Sequence, residues 1–500
     1  MITKKTSKPV LQKKKIGSLE RSVLVKGKPS VMINNMDEAK LNKSMHYSTM
    51  EGAFSSASSS IINAYTVPFA LALKATNAEI GLLRSVEQLA ATASQVPGAL
   101  LTRYMNRKTI WSISTFLAKF LWLFIAAIPF LGLENPISFL ILFIGITAFF
   151  GSMRSPAWTS LIGDIVPENR RGKYFGWRNM ITGFAGLGVI LIIGYILDAF
   201  GFSFIFTLSA ALGLLSILFF AKMYEPKFRN VYHYKHSVSF SFSNIRTSFS
   251  ANKNFYYFTF FLSLMGFGVM VATPFFIVYM LNSLNIGYFW FSIIVAVGAL
   301  VSIIFQPYWG RFCDSFGERN IIVVTGILVC FVPLFYMFAA NVAHILMIEV
   351  FSSFAWAGFD LAAFNLLLGV TPADKRPGFV ANHNVIKGIS VVLGALFGGF
   401  LAQSVSHSTF MWFAGLQIVF LASFIIRVAS LVLLPKILSA EYEKAPPVSY
   451  VFWRTVAVEP AKGLAHAVEY TFTHPHDIEE AAKKKIGWEF AKIKGRLNGA

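Results

Sequence analysis

Long apolar runs recur along the whole chain, and no other feature constrains its fold so strongly. A helix needs about 20 apolar residues to cross the hydrocarbon core of a bilayer. Only 14% of the residues are charged and 55% are apolar, whereas soluble domains carry about 25% charged residues. We therefore predict an all-α membrane protein with twelve transmembrane helices at 50–73, 78–101, 109–131, 137–162, 174–197, 203–223, 255–281, 288–309, 320–340, 343–369, 379–402 and 409–434.

The positions of the cations predict the orientation of these helices. The formal net charge is +20, and Lys and Arg concentrate in the loops after every second helix. The opposite loops are short and almost free of cations. Because cytoplasmic loops carry the excess of Lys and Arg, an even number of helices with both termini in the cytoplasm is expected. The basic segments are predicted to meet anionic lipid headgroups, and no nucleic-acid partner is expected.

Polar segments flank and divide the apolar part of the chain. Residues 1–46 are predicted to be a disordered, basic cytoplasmic tail, and residues 224–253 a cytoplasmic linker. Residues 437–500 form a second cytoplasmic tail, in which 478–497 has the apolar spacing of an amphipathic helix. The predicted bundles are therefore 47–223 and 254–436.

Two internal matches indicate that these bundles are related. GRFCDSFGER, from Gly310 to Arg319, has a degenerate copy in GALLTRYMNRK, which begins at Gly98. The stretch 158–179 also matches 364–384 at an offset of 205 residues, which pairs Arg171 with Arg376. We expect Gly310–Arg319 to be a tight loop, because its charges cannot lie in hydrocarbon and its glycines permit a sharp turn.

The pattern Gly-x-x-x-Asp-x-x-Gly-x-Arg in this stretch resembles the signature loop of the major facilitator superfamily. The resemblance implies two six-helix bundles, with helices 1, 4, 7 and 10 around a central cavity and charged loops that close the cytoplasmic side. Asp164 is expected to provide the acid that Thr102 does not. The resemblance therefore implies a cytoplasmic gate at Gly310, Arg311, Asp314, Gly317, Arg319, Gly98, Arg103, Arg107 and Asp164.

Charges inside the helices are candidates for solute or ion binding, because burial in a membrane is costly. At the offset of 205, Arg154 maps to Phe359, one residue from Asp360. We hypothesise that Arg154 and Asp360 face one cavity, where a carboxylate can take up a proton; the alternative is that each is satisfied within its own bundle. The full set of cavity candidates is Arg154, Asp360, Glu349, Asn365, Glu87, Asn384 and Lys387.

Other intramembrane cations have simpler interpretations. Arg178 and Arg427 are expected to extend their head groups to the membrane surface. Arg84 can do the same, or it can pair with Glu87 three residues later. Lys119 lies in the middle of the third helix, and its role stays open.

The sequence contains no enzyme signature, and two cysteines provide no metal or disulfide framework. No cofactor and no metal are expected. We predict a monomeric secondary active transporter that moves a small solute across the cell membrane, with ion or proton coupling. The alternatives are a non-transporting receptor or scaffold and a multidrug or lipid exporter. The exporter is disfavoured because 144–148 reads IGITA, without the Arg of such antiporters, and 183–194 lacks their Gly-Pro pair.

Overall fold

A computed structural model describes residues 35–102, 104–167, 170–225, 252–371, 376–406, 409–410 and 413–436. These residues are almost entirely helical. The predicted tails before 35 and after 436, including the amphipathic segment 478–497, lie outside the described residues, as do Arg103 and most of the linker.

The described residues of the first half form six α-helices, of which the last is unusually long. It bends at Gly201, where φ is 78° and ψ is 175°. The helices are α1 (Asn35–Ala72), α2 (Asn77–Leu101), α3 (Arg107–Ala127), α4 (Pro136–Met153), α5 (Ser155–Ile165) and α6 (Arg171–Ala221).

The described residues of the second half, after the linker, also form six α-helices. A short antiparallel pair, β1 (Thr409–Phe410) and β2 (Phe413–Ala414), precedes the last helix. The helices are α7 (Lys253–Val278), α8 (Tyr288–Phe316), α9 (Glu318–Met337), α10 (Val342–Val370), α11 (Arg376–Ser404) and α12 (Leu416–Leu431).

Eight helical segments of the described chain are long and apolar enough to cross a membrane. α12 is also apolar, but it is shorter, with 16 residues. The eight segments are Arg107–Phe130, Pro136–Ile165, Tyr174–Ala221, Lys253–Ser283, Tyr288–Phe316, Glu318–Met337, Val342–Val370 and Phe379–Ser404.

Polar side chains start several of these helices. Thr76 caps α2: Glu79 N–H donates to Thr76 Oγ1, and Thr76 N–H donates to Glu79 Oε2 at 2.8 Å. At α10, His344 N–H donates to Asn341 Oδ1 at 3.0 Å. Such caps satisfy backbone donors that have no partner inside the first helical turn.

The Gly310–Arg319 stretch is not the predicted loop. α8 continues through Phe316 and α9 begins at Glu318, so the turn is Gly317 alone, at φ 79°. The charged residues show where the apolar part of α8 ends. The helix itself continues beyond that point, because its backbone groups still hydrogen-bond to one another. Gly317 adopts a backbone conformation that costs other L-residues energy.

Other boundaries also differ from the prediction. α1 begins at Asn35, within the segment expected to be disordered. The predicted fourth helix is divided at Arg154, because Pro156 has no N–H to donate to the Ser152 carbonyl. The last helix starts at Leu416 rather than at 409, after Gly415, where φ is 55°.

The two halves share a core at one end of the molecule and have separate cores at the other. The shared cluster includes Tyr65 and Phe206 from the first half and Phe275 and Phe291 from the second. The other two clusters each draw on a single half, one around Trp111 and the other around Trp309 and its neighbours. The halves are therefore joined at the end that contains the α1–α2 and α7–α8 turns.

Close backbone approach and hydrogen bonds hold this joined end together. A Cβ on Gly81 of α2 would lie 2.5 Å from the Gly399 Cα of α11, so only glycine fits there. Asn77 Nδ2 donates to the Ala402 carbonyl at 3.3 Å. The Tyr65 hydroxyl hydrogen-bonds to Ser292. Helices with small residues at their contact can pack closely within a membrane.

Candidate functional site

A cavity of about 510 Å³ lies between the two halves. α1, α2, α3 and α4 of the first half supply most of its wall, and α7 supplies the opposite side with Met270, Thr273, Pro274 and Ile277. All of its charged lining residues come from the first half: Arg84, Glu87, Lys119 and Arg154. The size is typical of a site for a small molecule.

Arg154 stands at the break between α4 and α5 and lines this cavity. Its Nη1 donates to Thr115 Oγ1 at 3.1 Å, and its Nε donates to the Gly151 carbonyl at 3.1 Å. The guanidinium carbon lies 5.3 Å from the Trp111 ring centroid, a distance at which a cation is attracted to the ring face. Pro156 breaks the helix where this cation faces the cavity.

Lys119 points into the first bundle rather than toward lipid. It is 6% exposed, and its Nζ donates to Ser58 Oγ at 2.9 Å. Ser58 in turn hydrogen-bonds to Ser209 of α6. The methylenes of Lys119 pack against Gly213, where a Cβ would lie 2.6 Å from Lys119 Cδ. The sequence already marked Lys119 as unusual, because it is a cation in the middle of an apolar helix.

Arg84 and Glu87 form an ion pair on α2, with Nη1 and Oε2 2.8 Å apart. Both line the cavity. The sequence analysis placed Glu87 among the candidates and anticipated the pairing, but it did not include Arg84. Residues three apart on a helix lie on one face, so the pair adds both a donor and an acceptor to the same wall.

Glu51 is a charged residue that the sequence analysis did not select. Arg178 Nη2 contacts Glu51 Oε2 at 3.2 Å, and the Arg178 guanidinium lies 4.8 Å from the Trp158 ring centroid. Arg178 therefore pairs inside the first bundle instead of extending to the surface. Arg154 interacts electrostatically with Glu51, although its hydrogen bonds go elsewhere.

Arg427 also departs from the prediction of a surface-directed head group. It is 1% exposed. Its Nε donates to Ser423 Oγ and its Nη1 to the Val329 carbonyl, both at 3.0 Å. These contacts place the cation between α12, α9 and α7, next to Gly268. The reason is that hydroxyl and carbonyl oxygens are available inside the bundle, so the side chain does not need to reach water.

The candidates in the second half do not line the 510 Å³ cavity. Glu349 accepts a hydrogen bond from Ser353 at 3.1 Å and lies against Gly298 of α8. Asp360 is exposed and interacts electrostatically with Lys387 of α11, which is also exposed. The structure therefore does not bring Arg154 and Asp360 together in this cavity.

The two asparagines among the predicted cavity residues also lie outside the lining of the 510 Å³ cavity. Asn365 is half-buried on α10 and Asn384 is exposed on α11. Within the described residues, no three His, Cys, Asp or Glu side chains cluster as metal ligands would.

The predicted gate residues of the first half form a charge cluster. Arg107 is fully buried; its Nη1 lies 2.5 Å from Asp164 Oδ2 and 3.1 Å from Ser160 Oγ. Its backbone N–H donates to Glu225 Oε1 at 2.8 Å, a partner that the sequence analysis missed. Gly98 allows α2 to touch the Met153 backbone.

The gate residues of the second half make fewer contacts. Arg319 Nη2 donates to the Pro435 carbonyl at 3.5 Å, at the limit for a hydrogen bond. Arg311 and Asp314 are exposed, and Gly310 has no atom within 4 Å of a Cβ position. In the described ranges Asp314 forms no ion pair, so the expected cluster is present around Arg107 but not around Asp314.

One curated relative and several solved structures match most of the chain. An uncharacterized MFS-type transporter, MJ1560, from Methanocaldococcus jannaschii is 25% identical over 347 residues, which cover 67% of this chain and 85% of the relative. A solved structure of a mutant form of the nucleoside transporter NupG has a TM-score of 0.62 at 14% identity, covering 80% of this chain and all of that one. The inward-open xylose transporter XylE from E. coli has a TM-score of 0.59 at 12% identity, covering 81% and 98%.

The family model described as Major Facilitator Superfamily matches residues 52–302 and 256–461, which include both halves and the cavity between them. These findings point to a multi-pass membrane protein of a transporter family rather than to an enzyme. The chain belongs to the major facilitator superfamily.

Proposed function

We propose that this protein is a secondary active transporter that moves a small solute across the cell membrane by alternating access. The observation that carries the proposal is the charged 510 Å³ cavity between two halves that are joined at one end only. A site between two bundles is exposed to each side in turn when the bundles rock against each other.

Twelve membrane crossings, six in each half, accord with this proposal. The apolar part of α6 spans 48 residues, about 72 Å of helix against a hydrocarbon core of about 30 Å. The bend at Gly201 would allow it to cross twice. α1, α2 and α12 would complete the count as crossings, since α1 and α2 face protein and tolerate more polar residues. The distribution of cations favours cytoplasmic termini.

In that orientation the joined end faces outward and the structure corresponds to an inward-open state. The cytoplasmic side would close when the charge cluster around Arg107 and Asp164 meets the Gly310–Arg319 turn. Glu349 and Asp360 are the candidate proton carriers, because each is an acid on α10 without a described ion-pair contact. A multidrug exporter remains the second candidate within the family, favoured by the apolar wall that α7 presents.

The joined end offers a direct test of alternating access. We would introduce Asn77→Cys and Ala402→Cys in a background in which Cys313 and Cys330 are changed to Ala. A short, reducible bifunctional thiosulfonate should tether α2 to α11 and hold the outer side shut. Solute flux in proteoliposomes should fall at least about tenfold and return on reduction.

Each single-cysteine variant treated with the same reagent is the matched control. Flux that continues at the full rate in the tethered double variant would contradict alternating access about this end. Absence of flux for every solute in the untreated, folded protein would instead favour the receptor or scaffold alternative.

A further inference from the structure

The charges that line the cavity do not balance. Three lining residues are basic, Arg84, Lys119 and Arg154, and Glu87 is the one acidic residue among them. Arg84 and Glu87 neutralise each other at 2.8 Å. The neighbouring Glu51–Arg178 pair contributes one positive and one negative charge. These four basic and two acidic residues therefore carry a formal net charge of +2.

Lys119 and Arg154 are the two of these basic residues that contact no carboxylate in the described part of the chain. No carboxylate oxygen of a described residue lies within 4.0 Å of either head group. Thr115, which accepts the hydrogen bond from Arg154, is one helical turn before Lys119 on α3. The two cations are thus supported by neighbouring positions of the same helix face.

Both cations retain donors for a ligand. A guanidinium has five N–H donors and an ammonium has three. In the described part of the chain, Arg154 uses two of them, toward Gly151 and Thr115, and Lys119 uses one, toward Ser58. Unpaired charges removed from water are unfavourable, so an anion that enters the cavity would relieve the burial of both.

The opposite wall has a different character. α7 contributes Met270, Pro274 and Ile277, with Thr273 as its one polar lining residue. Trp122 of α3 and Ile144 of α4 are apolar lining residues of the first half. A ligand would therefore place a charged end against α3 and α4 and an apolar body against α7.

From this arrangement we infer that the solute is a small organic anion, with a carboxylate or phosphate group bound by Arg154 and Lys119 and an apolar body against α7. The inference rests on the proposed function, whose substrate class it names. Within the described residues, Arg154 retains the two N–H groups of Nη2 and one of Nη1 for an oxyanion, and Lys119 adds a point charge.

A matched set of probes tests the charge requirement. The purified protein in nanodiscs of zwitterionic lipid would be titrated with phenylbutyrate, phenylbutyramide, phenylbutylamine and phenyl phosphate. A ligand that binds the folded state raises its melting temperature. We expect stabilisation by phenylbutyrate, by phenyl phosphate or by both, which identifies the preferred oxyanion, and none by the amine.

Two variants of opposite effect make the test specific. Arg154→Gln should weaken anion binding by about 10- to 100-fold, because a charge-assisted hydrogen bond is lost. Glu87→Gln should strengthen it by about threefold, because Arg84 is then no longer neutralised. A merely structural role would not produce a gain. Lys253→Gln, at an exposed lysine outside the cavity, is the control.

The binding and flux results separate the two proposals. Anion binding that depends on Arg154, without flux of the same anion, would support the charge assignment and contradict transport. Flux of neutral or cationic solutes without anion binding would agree with the proposed transport function. It would overturn the inference that the solute is an anion. Stabilisation by the amine, by no probe at all, or by anions equally in Arg154→Gln would also overturn it.

Discussion

Lys119 in the first half and Arg427 in the second are both buried within a helix bundle, and their surroundings differ. Lys119 reaches between α3, α1 and α6, where it touches Ser58 and Gly213 and borders the cavity. Arg427 reaches between α12, α9 and α7, where Ser423 and the Val329 carbonyl accept its hydrogen bonds.

The difference lies in what each cation has left to bind. Arg427 is enclosed, next to the glycine of a neighbouring helix, and does not line the cavity. Lys119 occupies a comparable three-helix junction but lies at the edge of empty space. We therefore propose a binding role for Lys119, which borders the cavity, and a structural role for Arg427, which does not.

Truncation of the two cations should give the largest difference. Arg427→Ala leaves a void in a packed core and removes the donor to Ser423 Oγ and the Val329 carbonyl, so we expect a loss of about 2–4 kcal/mol in the free energy of unfolding. Lys119→Ala merely enlarges an existing cavity, so a loss of about 1 kcal/mol or less is expected. Denaturant unfolding in mixed micelles measures both values. Equal losses would show that the two cations have the same structural role.

The glycines beside the cations should sharpen this comparison. A Cβ on Gly268 would lie 3.2 Å from the Arg427 backbone nitrogen, which cannot move easily. The three atoms nearest to a Cβ on Gly213 all belong to the side chain of Lys119, at 2.6–2.7 Å, and this side chain can shift where a backbone atom cannot. Gly268→Ala should therefore destabilise by about 1 kcal/mol, whereas Gly213→Ala should be nearly neutral, since alanine also favours helix. Melting temperatures of the two variants provide the comparison, and the reverse order would contradict it.

The helix caps should show the smallest difference between the halves. Thr76 starts α2 and Asn341 starts α10, and each accepts a backbone N–H. Replacement of either by Ala should cost about 1 kcal/mol. Because neither cap touches the cavity, the two losses should agree. Unequal losses would mean that the halves differ in overall stability, and the contrast between Lys119 and Arg427 would then need another explanation.

Much of the fold could be predicted because apolar length is a direct physical requirement of the bilayer. The predicted 78–101 and 343–369 lie within a residue of α2 and α10. The helix ends at Phe316 and Asn35 were missed because hydropathy marks the boundary of the hydrocarbon rather than the end of helical hydrogen bonding. The division at Arg154 depended on Pro156, which the prediction did not use.

The cavity was predicted only in part. Arg154 and Glu87 line it, whereas Asp360 does not. The internal repeat aligned Arg154 with Phe359, and a shift of one residue turns a helical side chain by about 100°. Phe359 is accordingly buried and Asp360 exposed. Depth along a helix follows from the spacing of a repeat, but the face of the helix depends on packing between helices.

A ligand-bound structure would test the central claim most directly. The protein would be crystallised with bromophenylbutyrate, and the bromine would be located by its anomalous scattering. We expect the carboxylate within hydrogen-bond distance of Arg154 and Lys119, with the bromine near Met270 and Ile277 of α7. Binding of the bromine at another site, with this cavity empty, would contradict the proposed anion site. A carboxylate that contacts neither Arg154 nor Lys119 would also contradict it.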